Sequence, residues 1–100
     1  LKIIVPEELE GRKHIYHIFA VRLKDRDKVR KELFNRGIAT GIHYPIPIHM
    51  QKAYRFLGYN KGDFPVSEKV ADEILSLPMF PELSEGQIKY VCNSLKEIIG

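Results

Sequence analysis

Hydrophobic positions recur along the chain with two different periods. From His14 to Leu23 they alternate: Ile15, Phe19, Val21 and Leu23 fall on one face with His17, and His14, Tyr16, Ile18, Ala20 and Arg22 fall on the other. A period of two in β-branched and aromatic residues predicts a strand. Asp25 is then placed to cap a helix whose buried stripe is Val29, Leu33 and Phe34, and Gly37 sits where a left-handed C-terminal cap is wanted. Ile38 to Tyr44 predicts a second strand, broken by Pro45, and Gln51 to Leu57 a short helix bearing Ala53, Phe56 and Leu57, stopped by Gly58. Tyr59 to Asp63 is a turn-rich loop. Pro65 opens the next helix, because a missing N–H costs nothing in a first turn. Val66, Val70, Ala71, Ile74 and Leu75 give it an inward face. Ser76 to Phe80 reads as a short strand ended by Pro81. Ser84 with Gln87 three residues on forms a capping box, and the last helix is expected to bury Ile88, Val91, Cys92, Leu95 and Ile98 or Ile99.

The predicted order is β-α-β-α-α-β-α. With so few strands the economical α+β architecture is a three-stranded sheet with helices packed on one face. On pattern alone, a ferredoxin-like split βαβ arrangement is the rival. One hundred residues with 44% hydrophobic content support a single domain with one modest core. No apolar run approaches membrane-spanning length, and no signal-peptide pattern is read in the first residues. The first residue is Leu1 rather than Met, so a piece of a longer protein is expected. The single Cys92 rules out an internal disulfide and suits a cytoplasmic origin.

The net charge of +3 gathers in Arg22, Lys24, Arg26, Lys28, Arg30, Lys31 and Arg36, diluted by Asp25, Asp27 and Glu32. A solvated helix face with intrahelical ion pairs accounts for this better than a nucleic-acid patch. No interleaved glycines and aromatics accompany the charge, so no nucleic-acid partner is expected. Four histidines raise the question of a metal. His14 and His17 would point to opposite faces of one strand, and none of the spacings matches a zinc site. Cys92, on an inward helical stripe, reads as a small hydrophobe and not as a nucleophile.

The most informative stretch runs from Gly41 to His49, Gly-Ile-His-Tyr-Pro-Ile-Pro-Ile-His. Pro45 and Pro47 fix their own φ and push Tyr44 and Ile46 into extended conformations. The result is a stiff arm that cannot pair as a central strand. It carries His43, Tyr44 and His49, polar rings that a rigid loop can aim away from the core.

This arm is followed by Tyr54, by Leu57-Gly58-Tyr59, by Gly62-Asp63-Phe64-Pro65 and by Leu75-Ser76-Leu77-Pro78-Met79-Phe80-Pro81. From about Tyr16 to Leu95 the chain resembles the C-terminal small domain of the DegT/StrS-type nucleotide-sugar aminotransferases. These are pyridoxal-phosphate (PLP) enzymes of the aspartate-aminotransferase fold, fold type I. The resemblance implies a small, mainly antiparallel sheet, with residues 1–13 a frayed lead-in from a missing large domain and residues 14–100 the small domain. It implies a parent enzyme that aminates a nucleotide-linked keto-sugar, with glutamate as donor, for amino-sugar or surface-polysaccharide synthesis. PLP, the large domain and a second subunit of a homodimer are the cofactor and partners it implies. By position in the motif, His43, Tyr44 and His49 are the substrate-side residues, and Arg12 is one candidate for the donor's carboxylate. Tyr54 is expected to pack under the loop, with Tyr16 and His17 as core and sheet-face residues. No lysine here has the family's Schiff-base context, so the chain by itself is expected neither to hold PLP covalently nor to transaminate. The alternative is a free-standing, non-catalytic α+β domain that binds a ligand or regulates.

Overall fold

The computed structural model describes residues 2–100; Leu1, the first residue of the expected lead-in, lies outside the described residues. A three-stranded antiparallel sheet is built from β1 (Ile3–Ile4), β2 (Phe19–Leu23) and β3 (Ile74–Leu77), in that spatial order. Three α-helices accompany it, α1 (Arg26–Asn35), α2 (Pro65–Glu73) and α3 (Glu85–Ile99), with two short 3₁₀ segments at Ile48–Met50 and Lys52–Leu57. The fold class is the one expected, but its strands come partly from other residues.

The first predicted strand is halved. Tyr16 has φ of 49°, a left-handed conformation that no strand can contain, so pairing begins only at Phe19. Tyr16 is held there locally: its N–H donates to His14 Nδ1 at 2.8 Å, and the two rings stack with centroids 4.4 Å apart. Ile3 and Ile4, expected to be frayed, instead pair with Leu23 and Arg22 as an edge strand. The strand expected over Ile38 to Tyr44 contributes a single bridge, Gly41 opposite Ser76. In the third strand the boundary moves. Helix α2 ends at Glu73 and the chain passes without a turn into β3, so Ile74 and Leu75 are strand residues rather than helix residues.

Val21, Leu23 and Leu75 from the sheet, Val29 and Leu33 from α1, Ile38, and Leu95 from α3 form one buried cluster. Helices α1 and α3 therefore cover one face of the sheet. The end of α1 is a Schellman cap, in which Gly37 N–H donates to Phe34 O and Ile38 N–H to Leu33 O, both at 2.9 Å, with Gly37 at φ 77° as expected. The start of α1 differs from expectation. Asp25 holds the cap position, but at φ 53° and with no side-chain cap bond. Phe34, expected in the buried stripe, is 72% exposed, because Val29 and Leu33 already fill the helix's contact with the sheet.

Helix α3 opens with the predicted capping box, Gln87 N–H to Ser84 Oγ and Ser84 N–H to Gln87 Oε1. Its packed line begins only at Val91 and runs through Leu95, Ile98 and Ile99. Ile88 lies a turn before that contact and is exposed, and Cys92 lies one position off the stripe and is exposed too. The short helix predicted from Gln51 is a 3₁₀ segment ended by Gly58 at φ 78°. Among the described residues no helix is long and apolar enough to cross a membrane.

The basic run is only partly a solvated face. Arg26 is 8% exposed. Its Nη1 donates at 2.9 Å to the carbonyls of both Ala71 and Ile74, and its Nε to Asp27 at 2.7 Å. Those two carbonyls are orphaned by the helix-to-strand switch, and a cation is the natural partner for a helix C-terminus. Arg22, on the sheet face opposite Val21, is paired with Glu73 at 2.8 Å. Replacing Arg26 by Ala should therefore cost about 1–3 kcal/mol, the penalty for stranding buried acceptors. Arg30→Ala, on the exposed side of the same helix, should stay within about 0.5 kcal/mol. Urea unfolding of the two variants measures the contrast, and equal losses would contradict it.

Candidate functional site

The arm leaves the sheet at Gly41, which is tied to β3 by two backbone hydrogen bonds, Gly41 N–H to Ser76 O at 3.0 Å and Ser76 N–H to Gly41 O at 2.7 Å. Because β2 pairs Ala20 with Ser76, three small residues, Ala20, Ser76 and Gly41, lie side by side across the strands. His43 uses that room. Its Nδ1 is 2.8 Å from Ser76 Oγ, and its ring occupies the place where a Gly41 side chain would begin: a Cβ there would stand 2.8 Å from His43 Cε1. A side chain at position 41 would have to push that ring aside, whereas the hydrogen of glycine leaves it room.

Tyr44 follows through a cis peptide and turns outward, 72% exposed, with its ring edge-on to His43 at 5.4 Å. His43 borders two shallow hollows. One, of about 280 Å³, is lined by His17, Thr40, Gly41, Ser76 and Met79 among others. The second, of about 330 Å³, lies between the arm and α2, where Tyr44, Ile46 and Ile48 face Val66 and Val70. A larger hollow of about 660 Å³ lies away from the arm, between Lys24 and Lys28 on one side and Ile98 and Ile99 on the other. Arg22 and Glu73 on its wall already satisfy one another.

The far end of the arm turns inward. The His49 side chain is 7% exposed, edge-on to the Phe64 ring at 4.8 Å, with Nε2 3.4 Å from Glu68 Oε2. That nitrogen is buried and has no hydrogen-bond partner among the described residues. Glu68 is itself a hub: its carboxylate accepts Gly62 N–H at 2.9 Å and Phe64 N–H at 3.3 Å, drawing the loop before α2 onto the helix. The three expected site residues thus do not converge. His43 and Tyr44 are neighbours at one end, and His49 sits under the other.

Three contributors escaped the sequence reading: Ser76, Glu68 and the steric role of Gly41. A signal existed for the first, since a lone serine inside Leu75-Ser76-Leu77 is a polar group destined for burial that must find a partner. Of the other expectations, Tyr54 is 42% exposed, and Arg12 and His17 are exposed. Every lysine is exposed, so no amine here is desolvated as a Schiff-base lysine must be. The residues present do not fit PLP, and no chemical step is assigned through it in this chain.

Comparison with known proteins places the arm in context. The sequence profile of the DegT/DnrJ/EryC1/StrS aminotransferase family matches residues 1–96. A pleiotropic regulatory protein of Geobacillus stearothermophilus is 44% identical over 95 residues, 95% of this chain and 26% of that protein. A UDP-N-acetyl-3-dehydro-alpha-D-glucosamine 3-aminotransferase of Acidithiobacillus ferrooxidans is 40% identical over 99 residues, 99% of this chain and 26% of that protein. Among solved structures, S. venezuelae DesV superposes with a TM-score of 0.92 at 35% identity, over 97% of this chain and 26% of that one. The chain therefore spans about a quarter of the length of the relatives it matches.

The carboxylate hub can be tested directly. Glu68→Ala should free the Gly62 and Phe64 amides, so that their hydrogen exchange speeds up about ten- to a hundredfold, as loss of a charge-assisted bond worth about 1.5–3 kcal/mol implies. Amides in the second half of α3 should be unaffected. Uniform acceleration would instead make Glu68 a global stabiliser.

Proposed function

The chain belongs to the DegT/DnrJ/EryC1/StrS aminotransferase family, and from that premise we propose that it is the C-terminal part of a PLP-dependent enzyme that aminates a nucleotide-linked keto-sugar, with glutamate as amino donor. In this reading residues 1–13 carry the chain in from the large domain, and residues 14–100 are the small domain. The catalytic lysine and the cofactor pocket belong to the remaining three quarters of the enzyme, which works as a cytoplasmic homodimer supplying amino sugars for surface polysaccharide or related products.

The observation that carries the reading is the arm itself. It is anchored to the sheet at Gly41, stiffened by Pro45 and Pro47, and presents an exposed Tyr44 beside a fixed His43. Such rings are suited to a nucleotide sugar: an imidazole hydrogen-bonds a hydroxyl or diphosphate oxygen, and a phenol packs on sugar or base. His43, Tyr44 and His49 form the substrate-side set in this reading; His43 and Tyr44 are exposed, and His49 lies between Phe64 and Glu68 at the inner end of the arm. Exposed Ile4, Val5, Ile46, Ile48 and Met50 support a missing cover of protein on the same molecule; Ile3, half-buried, does not.

One observation favours a second reading. A relative at 44% identity is named a regulatory protein, so the same domain is compatible with a regulator that binds a ligand without turning it over. A Schiff-base lysine in the segment preceding this one decides for the enzyme, and its absence there decides for the regulator.

Two outcomes are expected. Mixed with PLP and desalted, this chain alone should retain no cofactor absorbance; a band that persists, with turnover of glutamate, would overturn the division of labour. In the full-length enzyme, Tyr44→Ala should leave the glutamate half-reaction nearly unchanged and lower the specificity constant of the keto-sugar half-reaction by about tenfold, as losing about 1.4 kcal/mol of contact implies. Rapid-mixing spectra separate the two. Equal damage to both would remove the arm from the sugar side.

A further inference from the structure

Ser76 is 5% exposed, and its hydroxyl meets one side-chain partner among the described residues, the Nδ1 of His43 at 2.8 Å. The contact can be drawn in two ways. If His43 carried its proton on Nδ1 and donated it, the serine O–H would need a second acceptor, and no other hydrogen bond of that hydroxyl occurs among the described residues. A buried O–H without an acceptor costs free energy. If Ser76 donates to a bare Nδ1, the buried hydroxyl is satisfied, and the ring proton must then sit on Nε2. The two backbone bonds between Gly41 and Ser76 hold the serine in register under the ring, and the absence of a Cβ at Gly41 lets the ring lie there.

We propose that Ser76 is the positioning residue that sets the tautomer of His43, so that His43 presents an Nε2–H donor to an acceptor oxygen of the nucleotide-linked sugar. The inference rests on the substrate-side reading of His43 given above and adds direction to it. His43 recognises a hydroxyl, carbonyl or phosphoryl oxygen as acceptor and disfavours a group that can only donate. Selectivity of this kind is strong because a donor facing a donor leaves two desolvated groups unpaired. Ser76 itself stays on the far side of the ring and acts through it.

The test uses the full-length enzyme with ¹⁵N-labelled histidine, and the His43 ring signals are identified by their loss in His43→Gln. The expected spectrum shows a neutral ring protonated on Nε2 and bare on Nδ1; a proton on Nδ1 overturns the proposal. This measurement needs no change at Ser76 and stands even where Ser76→Ala fails to fold. In kinetics, Ser76→Ala should lower the keto-sugar specificity constant by about three- to tenfold, the range of one neutral hydrogen bond, with the glutamate half-reaction unchanged. Glutamine at 43 offers an N–H with no tautomer to choose, so Ser76→Ala added to His43→Gln should cost nothing further. A serine that merely supports the fold would cause equal losses in both backgrounds, and that result overturns the assignment. The two levels of the argument separate through His43→Ala. If it leaves the keto-sugar half-reaction intact, the substrate-side reading falls and the tautomer inference with it. If it is harmful while Ser76→Ala is harmless, only the inference falls.

Discussion

The pair of backbone hydrogen bonds between Gly41 and Ser76 is the constraint on which the arm depends. Among the described residues, nothing else in the stretch from Ile38 to His49 pairs with the sheet through its backbone. With that pair, one position of β3 serves three parts of the molecule. The Ser76 backbone pairs with Gly41, its hydroxyl fixes His43, and its neighbour Leu75 turns the other way into the core beside Val21 and Leu33. Strand alternation makes this possible, because adjacent residues face opposite sides. The site residue and the core residue are covalent neighbours, so displacement of the core at Leu75 reaches His43 through one peptide unit.

Most local signals in the sequence hold because they concern groups a few residues apart, although Asp25 makes no side-chain cap bond. The Ser84 capping box, the left-handed cap at Gly37 and the stop at Gly58 follow from chemistry within one turn, and all three are present. The strand assignments were less secure because pairing is decided by distant partners. Ile3 and Ile4 become a strand only because β2 leaves an edge open, and Ile38 to Tyr44 fails as one because β3 offers it a single residue. Tyr16 shows the opposite effect. A residue of high strand propensity is turned left-handed by a local bond to His14, and that ends a pattern which looked continuous.

Arg26 illustrates what composition conceals. Counted with its neighbours, it belongs to a solvated basic face. In the fold it reaches the carbonyls of Ala71 and Ile74, 45 and 48 residues away. The need for it arises at the direct passage from α2 into β3, where the last helical carbonyls have no successor to donate to them. No periodicity in the sequence marks that passage, since Ile74 and Leu75 satisfy a helical stripe as well as they satisfy a strand. The site was half legible for the same reason. The arm stood out through its prolines, while Ser76 and Glu68, which hold its two ends, lie in elements that looked purely structural.

The two ends of the arm are secured by different physics, and both leave it stiff. At His43 the anchor is a row of small residues, a backbone bridge and one hydrogen bond. At His49 it is an aromatic edge against Phe64 with a carboxylate 3.4 Å from the ring nitrogen. Between them Tyr44 to Ile48 is exposed or half-buried, yet two prolines deny it most of the conformations an exposed loop would sample. An arm fixed at both ends and stiff in the middle has little entropy left to lose when a ligand settles on it. Ordering a flexible segment would offset about 0.5–1.5 kcal/mol of affinity for each side chain immobilised, and here that cost is met at folding rather than at binding. In the substrate-side role proposed for it, such an arm would direct Tyr44 and His43 at a polar, highly solvated ligand, whose own desolvation leaves little margin for a recognition surface that must also be ordered.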